Sequence, residues 1–192
     1  VMPEGNIWWI TFTPDGDRMA VGSKSGRIFI FSQRPEPPVE LTDFKMGYLV
    51  DPSRALTFEQ ARAQSFKETG NRTSLGTDAR VAWYRLALVN ASNANRELFV
   101  HLPHAYHLRS VSIYQERDGK LLRHEPLDLN RAAGSDLMYR GTVVFPLTLA
   151  AQESTTLYVR SFSYSHQWFA VDVFDEQASR LALVSINTDI AL

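Results

Sequence analysis

The chain has 192 residues, with 20 Lys and Arg against 21 Asp and Glu and a formal net charge of −1. A charge so near zero leaves no electrostatic footprint for a nucleic acid, and 44% apolar against 21% charged residues excludes a disordered chain. Cysteine is absent, which removes disulfides, thiolate metal sites and a cysteine nucleophile.

The longest apolar runs, such as Ile28 to Phe31, fall far short of the ~20 residues a spanning helix needs. Val1 to Trp9 carries no basic leader region and includes Glu4. Short alternating stretches then point to strands. Ile7 to Thr13 closes at Pro14-Asp15-Gly16, and Arg18 to Gly22 joins Arg27 to Ser32 through Ser23-Lys24-Ser25-Gly26. Arg34-Pro35-Glu36-Pro37-Pro38 follows, and three prolines in five residues cannot join a sheet ladder. A boundary belongs there, between residues 1–38 and 39–192.

Thr57-Phe58-Glu59-Gln60 fits a capping box and predicts a helix ending before Gly70-Asn71. Phe58, Ala61 and Phe66 supply its apolar side, with Arg62 and Lys67 facing water. Ser74 to Asp78 reads as a polar loop. Strands are expected at Arg80–Asn90, Arg96–Leu102, Ser110–Glu116, Leu121–His124, Thr142–Leu149, Ser154–Ser163, Trp168–Asp175 and Arg180–Ile186. Asp118-Gly119 is a hairpin signal. The run Val81 to Val89 is apolar on both parities, so that strand is expected to be central and covered on both faces. The expected fold is mostly β: an antiparallel β-sandwich or jelly roll with one short helix.

Three ordered stretches carry a family resemblance. They are Gly47-Tyr48-Leu49-Val50-Asp51, the strand Val81-Ala82-Trp83-Tyr84-Arg85-Leu86-Ala87-Leu88-Val89-Asn90, and Leu157-Tyr158-Val159-Arg160-Ser161 after the turn Gln152 to Thr156. Together they resemble the second type of extracellular sensor domain of bacterial seven-transmembrane receptors with diverse intracellular signalling modules (7TMR-DISM). The resemblance implies a periplasmic sandwich like carbohydrate-binding modules, attached to a membrane domain and a histidine kinase or diguanylate cyclase output. It implies ligand sensing without catalysis, and no cofactor. Residues 39–192 would form that sensor domain. Residues 1–38 depart from it and resemble a single WD-type propeller blade, through Phe12-Thr13-Pro14-Asp15-Gly16 and Gly26 to Phe31. They would be an N-terminal β-rich extension, a three-stranded meander, or a fused segment.

Catalytic signatures are missing. There is no Gly-x-Ser-x-Gly, no phosphate loop, no Gly-x-Gly-x-x-Gly and no His-Glu-x-x-His; His124-Glu125 runs into Pro126. His101, His104 and His107 are expected as surface histidines at a strand end, with a pH-responsive patch as the alternative and no metal site, since Pro103 prevents a helix that would align them.

Aromatic rings beside cations and amides suit a small-ligand cleft. Trp83 and Arg85 on the central strand, Arg160 on the late strand, Tyr139 and Arg140 in a Gly-flanked loop, and His166 and Trp168 between strands are the candidate ligand-binding residues. Trp83 alone reads more simply as core. Arg85 needs a carboxylate partner or an open cleft, because arginine is almost never buried alone. The expected ligand is a carbohydrate or small carboxylate, with no nucleic acid as partner and a homodimer left open. A protein-interaction or dimerisation module, and a carbohydrate-active enzyme using two carboxylates, are the competing functions.

Overall fold

In the computed structural model, which describes residues 7–12, 18–23, 28–32, 45–131 and 135–185, the chain falls into two units, Val1–Glu40 and Leu41–Leu192. The first holds strands β1 (Ile7–Phe12), β2 (Arg18–Ser23) and β3 (Ile28–Ser32), an antiparallel meander in that order. Its predicted turns and the proline run before residue 39 lie outside the described residues.

The second unit is built from two main antiparallel sheets. Its strands are β4 (Lys45–Val50), β5 (Lys67–Thr69), β6 (Arg72–Gly76), β7 (Val81–Val89), β8 (Arg96–Leu102) and β9 (Leu108–Arg117). They continue with β10 (Lys120–Asp128), β11 (Met138–Tyr139), β12 (Thr142–Leu149), β13 (Ser154–Ser163), β14 (Gln167–Ala170) and β15 (Asp172–Phe174). One sheet runs β10-β9-β13-β7-β4-β5, a second β11-β12-β8-β15, and β14 pairs with β6 as a ribbon.

Period-two alternation packs the two sheets face to face. Tyr84, Leu86 and Leu88 of β7 and Leu157 and Val159 of β13 point inward. They meet Leu98, Val100 and Leu102 of β8 and Val143, Phe145, Leu147 and Leu149 of β12. Each such side chain contributes ~1.5–3 kcal/mol by leaving water. The Tyr84 ring stacks on Phe169 at 3.7 Å, and its hydroxyl accepts from buried Gln167 Nε2 (3.1 Å), which also donates to Ser161. Burial pushes the Tyr84 hydroxyl pKa far up. This is the expected β-sandwich, with β7 central and covered on both sides. The predicted hairpin is present too: Asp118 (φ 50°) and Gly119 (φ 76°) are both left-handed, as a two-residue turn between β9 and β10 requires.

The sides of the two sheets meet at β10 and β12. There the Arg123 guanidinium lies 4.5 Å from the centre of the Phe145 ring and donates to the Pro146 carbonyl (3.1 Å), while Glu125 pairs with it at 2.8 Å.

Four of the expected elements need correction. The helix α1 covers only Phe58–Arg62, because Lys67–Thr69 leaves it to pair with β4 as an edge strand. Ser74 and Leu75 belong to β6, not a loop. Trp168–Asp175 is two strands in different sheets, broken at Val171, whose amide donates to the Asn71 carbonyl (3.0 Å). Arg180 to Ser185 is helical, inside α2 (Glu176–Ser185). There the four successive apolar residues Leu181 to Val184 carry no clear period; the Asp175 carboxylate caps Ala178 (2.7 Å) and Glu176 pairs with Arg180 one turn on.

His101 is not a surface histidine. It is 3% exposed, its Nε2 bonds Ser179 of α2 at 2.8 Å, and its ring meets Phe174 edge-on. Burial holds its pKa below the ordinary value of about 6.5, against the opposing pull of Asp172. A neutral form favoured in the fold means the unfolded chain binds more protons just below that value. Stability contributed by His101 is therefore present above about pH 6.5 and lost as pH falls through the lowered value. The melting temperature is expected to drop between pH 7 and pH 5, and His101→Asn is expected to flatten that part of the curve; equal slopes in both proteins would refute the assignment.

The capping box is realised: Thr57 Oγ1 accepts from the Gln60 amide (3.3 Å) and the Thr57 amide donates to Gln60 Oε1 (2.9 Å). Thr57→Ala is expected to cost ~0.5–2 kcal/mol, read as a lower urea midpoint with unchanged slope.

Candidate functional site

The outward residues of the six-stranded sheet form an aromatic layer. Register places Gly47, Arg85, Tyr158, Tyr114 and His124 in one row across five strands, and Leu49, Trp83, Arg160 and Ser112 in the next. Helix α1 lies on this face. Phe58 stacks on Tyr114 (4.7 Å) and meets Tyr158 edge-on (5.4 Å), while Tyr114 stacks on His124 (4.1 Å). Trp83 is 0% exposed in this layer, with its indole nitrogen unpartnered. A ligand cannot touch it, so Trp83 is core and supports the face from beneath.

Arg85, two residues on and on the same face, is exposed. Its guanidinium lies 5.1 Å from the centre of the Phe66 ring, which packs where a Cβ on Gly47 would sit. Neither a buried carboxylate nor a closed pocket holds it; solvent and a ring face do. Arg160, half-buried beside Trp83, donates to the Arg54 carbonyl (2.9 Å). Three of the expected residues thus share one face, with one of them sealed.

The other four lie at the strand ends. His104, Tyr106, His107, Ser165, His166 and Trp168 line an open cleft of about 390 Å³. Trp168 is half-buried, with His104 at 5.4 Å and His107 at 5.7 Å between ring centres. His107 Nε2 donates to the Trp168 carbonyl (2.8 Å) and its Nδ1 lies against the His104 carbonyl. His166 Nε2 bonds Ser74 Oγ at 3.0 Å, tying the cleft to β6. Tyr106, on the 3-10 turn Ala105–His107, is 71% exposed. Tyr139 and Arg140 stand one step away. Their turn ends at Gly141 (φ 83°), where an added Cβ would lie 3.2 Å from the Tyr106 ring. Among the described residues no three His, Asp or Glu side chains converge as a metal site.

The profile of the 7TMR-DISM extracellular 2 family matches residues 43–175, which takes in β4 through β15. The chain belongs to the 7TMR-DISM extracellular 2 family. The family's domain is the extracellular, periplasmic sensor part of membrane receptors, as the resemblance in the sequence implied. No helix among the described residues is long and apolar enough to cross a membrane. A search of curated proteins gave no match. Among solved structures, a β-glucosidase from Kluyveromyces marxianus aligns at 10% identity and a TM-score of 0.36, over 69% of this chain and 14% of that one. A carbohydrate-binding module of the β-sandwich superfamily aligns at 9% identity and 0.35, over 91% and 86%. Likenesses so slight bear on neither fold nor function.

Tyr106 and the meeting of His104 and His107 with Trp168 are the parts of this candidate cleft that sequence reasoning missed. The run His101 to His107 is visible, but the roughly sixty residues between it and Trp168 conceal the contact.

Arg85→Ala is expected to change stability by less than ~1 kcal/mol, the worth of an exposed cation over a ring. A loss of several kcal/mol on chemical denaturation would show a buried charge pair instead.

Proposed function

We propose that this sensor domain binds a carbohydrate or a small carboxylate in the Trp168 cleft and passes its occupancy to the membrane part of a receptor. The observation that carries this is the cleft itself: a half-exposed indole, an exposed phenol and three imidazoles set together at the strand ends. Sugar C–H faces pack on such rings, while imidazole nitrogens and the Ser165 and Tyr106 hydroxyls bond to sugar hydroxyls. The Tyr139-Arg140 turn extends the rim and would supply a cation to a carboxylate. In this proposal residues 39–192 are the sensing unit, the domain carries out no reaction, and a histidine kinase or diguanylate cyclase is the output.

The test is calorimetric titration with a panel of mono- and disaccharides, sugar acids and amino acids. At least one saccharide or carboxylate is expected to bind saturably, and Trp168→Ala to weaken it about tenfold or more with the melting temperature nearly unchanged. No binder in the panel, or a binder indifferent to Trp168→Ala, would sink the proposal.

A further inference from the structure

We infer that the domain carries a second site, for an oxyanion, at the end of the six-stranded sheet. Arg54, Arg80 and Arg109 line one cleft of about 290 Å³ with Phe162, Ser163 and Tyr164. Three arginines thus line one cleft on a protein whose net charge is −1.

Among the described residues none of the three makes an ion pair, whereas Arg62, Arg72, Arg117, Arg123 and Arg180 all do. Two nearby carboxylates accept hydrogen bonds from neutral groups. The Asp51 carboxylate is 1% exposed and accepts from Ser53 Oγ (2.6 Å) and the Leu56 amide (3.1 Å). Asp128 accepts from the Asn130 amide (3.1 Å). Like charges that line one cleft repel, and an anion of fitting shape turns that repulsion into attraction.

The cleft is also held in place. Arg54 sits at φ 58°, a left-handed conformation uncommon outside glycine. Its amide donates to the Asp51 carbonyl (3.2 Å) and its carbonyl accepts from Arg160. Such a conformation persists where the surroundings over-determine it, and it concentrates at ligand clamps. The Arg109 guanidinium lies 5.2 Å from the centre of the Phe162 ring, and its backbone carbonyl accepts from Leu129. Ser163 donates its amide to the Arg80 carbonyl, and the Tyr164 hydroxyl donates to Asn130. The backbones are thus fixed, and among the described residues no ion pair occupies the three guanidinium forks. Planar forks match the paired oxygens of carboxylate, phosphate or sulfate. The volume suits a small solute carrying such a group.

This site is lined by none of the residues of the Trp168 cleft, so it stands or fails apart from the saccharide proposal. The experiment titrates sodium sulfate, sodium phosphate and sodium malate into the protein against sodium chloride at constant ionic strength, by calorimetry and thermal shift. At least one of the three is expected to bind saturably. Arg80→Gln and Arg109→Gln are expected to weaken it about tenfold or more each. Arg54→Gly is expected to do the same while keeping the left-handed turn. In chloride the variants are expected to melt no lower than the parent, and Trp168→Ala to bind the anion as the parent does. Anion effects that do not saturate, or that survive all three arginine variants, overturn the inference. So does a lower melting temperature in chloride for all three variants, which would make the arginines structural. Vesicles rich in phosphatidylglycerol form a last arm, and capture on them without any response to free anions would also overturn it.

Discussion

The second unit depends on strand β7 being covered on both faces. Its even positions, Ala82, Tyr84, Leu86 and Leu88, enter the core between the sheets, while Trp83 is sealed by the aromatic layer under α1. A strand in the middle of a sheet normally buries one face in a sandwich and leaves the other to water. Here the outer face is occupied as well, which is why a helix of five residues is retained. So short a helix is unstable in isolation. It persists through its capping box and through Phe58, which inserts between Tyr114 and Tyr158.

That second layer decides what the outer face can do. Trp83 and Arg85 are two residues apart and point the same way, yet one is inaccessible and the other exposed. The difference lies in what covers them: α1 and its neighbours close over the indole, whereas Phe66 offers only a ring face to the guanidinium. The arginine-lined and histidine-lined clefts lie instead at the ends of the strands. The β13–β14 turn separates two of them, with Tyr164 facing the arginine-lined cleft and Ser165 and His166 facing the histidine-lined one.

The layer architecture was legible in the sequence because alternation and turn chemistry are local. The dual-parity run at β7, the Asp118-Gly119 hairpin and the Thr57 cap all carry their own signals. Where a segment has no period of its own, the environment decides. Leu181 to Val184 reads equally as strand or helix, and the Asp175 cap settles it. Lys67 to Thr69 continues a helical pattern, yet the open edge of β4 recruits it. The clefts were only partly legible. Trp168 and His166 stand out as an aromatic-polar cluster, but their partners come from the turn after β8. Arg54, Arg80 and Arg109 sit in three unrelated stretches, and no spacing rule unites them.

Arg123 ties β10, the edge of one sheet, to β12 of the other, and a proline lies close by on each strand of that seam, Pro126 on β10 and Pro146 on β12. Register also slips on β10 between Leu121 and Arg123. Proline offers no amide hydrogen, and a bulge breaks the even spacing that an incoming strand would match. Lengthening of the six-stranded sheet along β10 by a neighbouring chain is therefore disfavoured. Copies of the domain crowded together on a membrane surface would meet poor strand pairing along this seam, and edge-to-edge association would have to use the other ends of the sheets, such as β5 or β15.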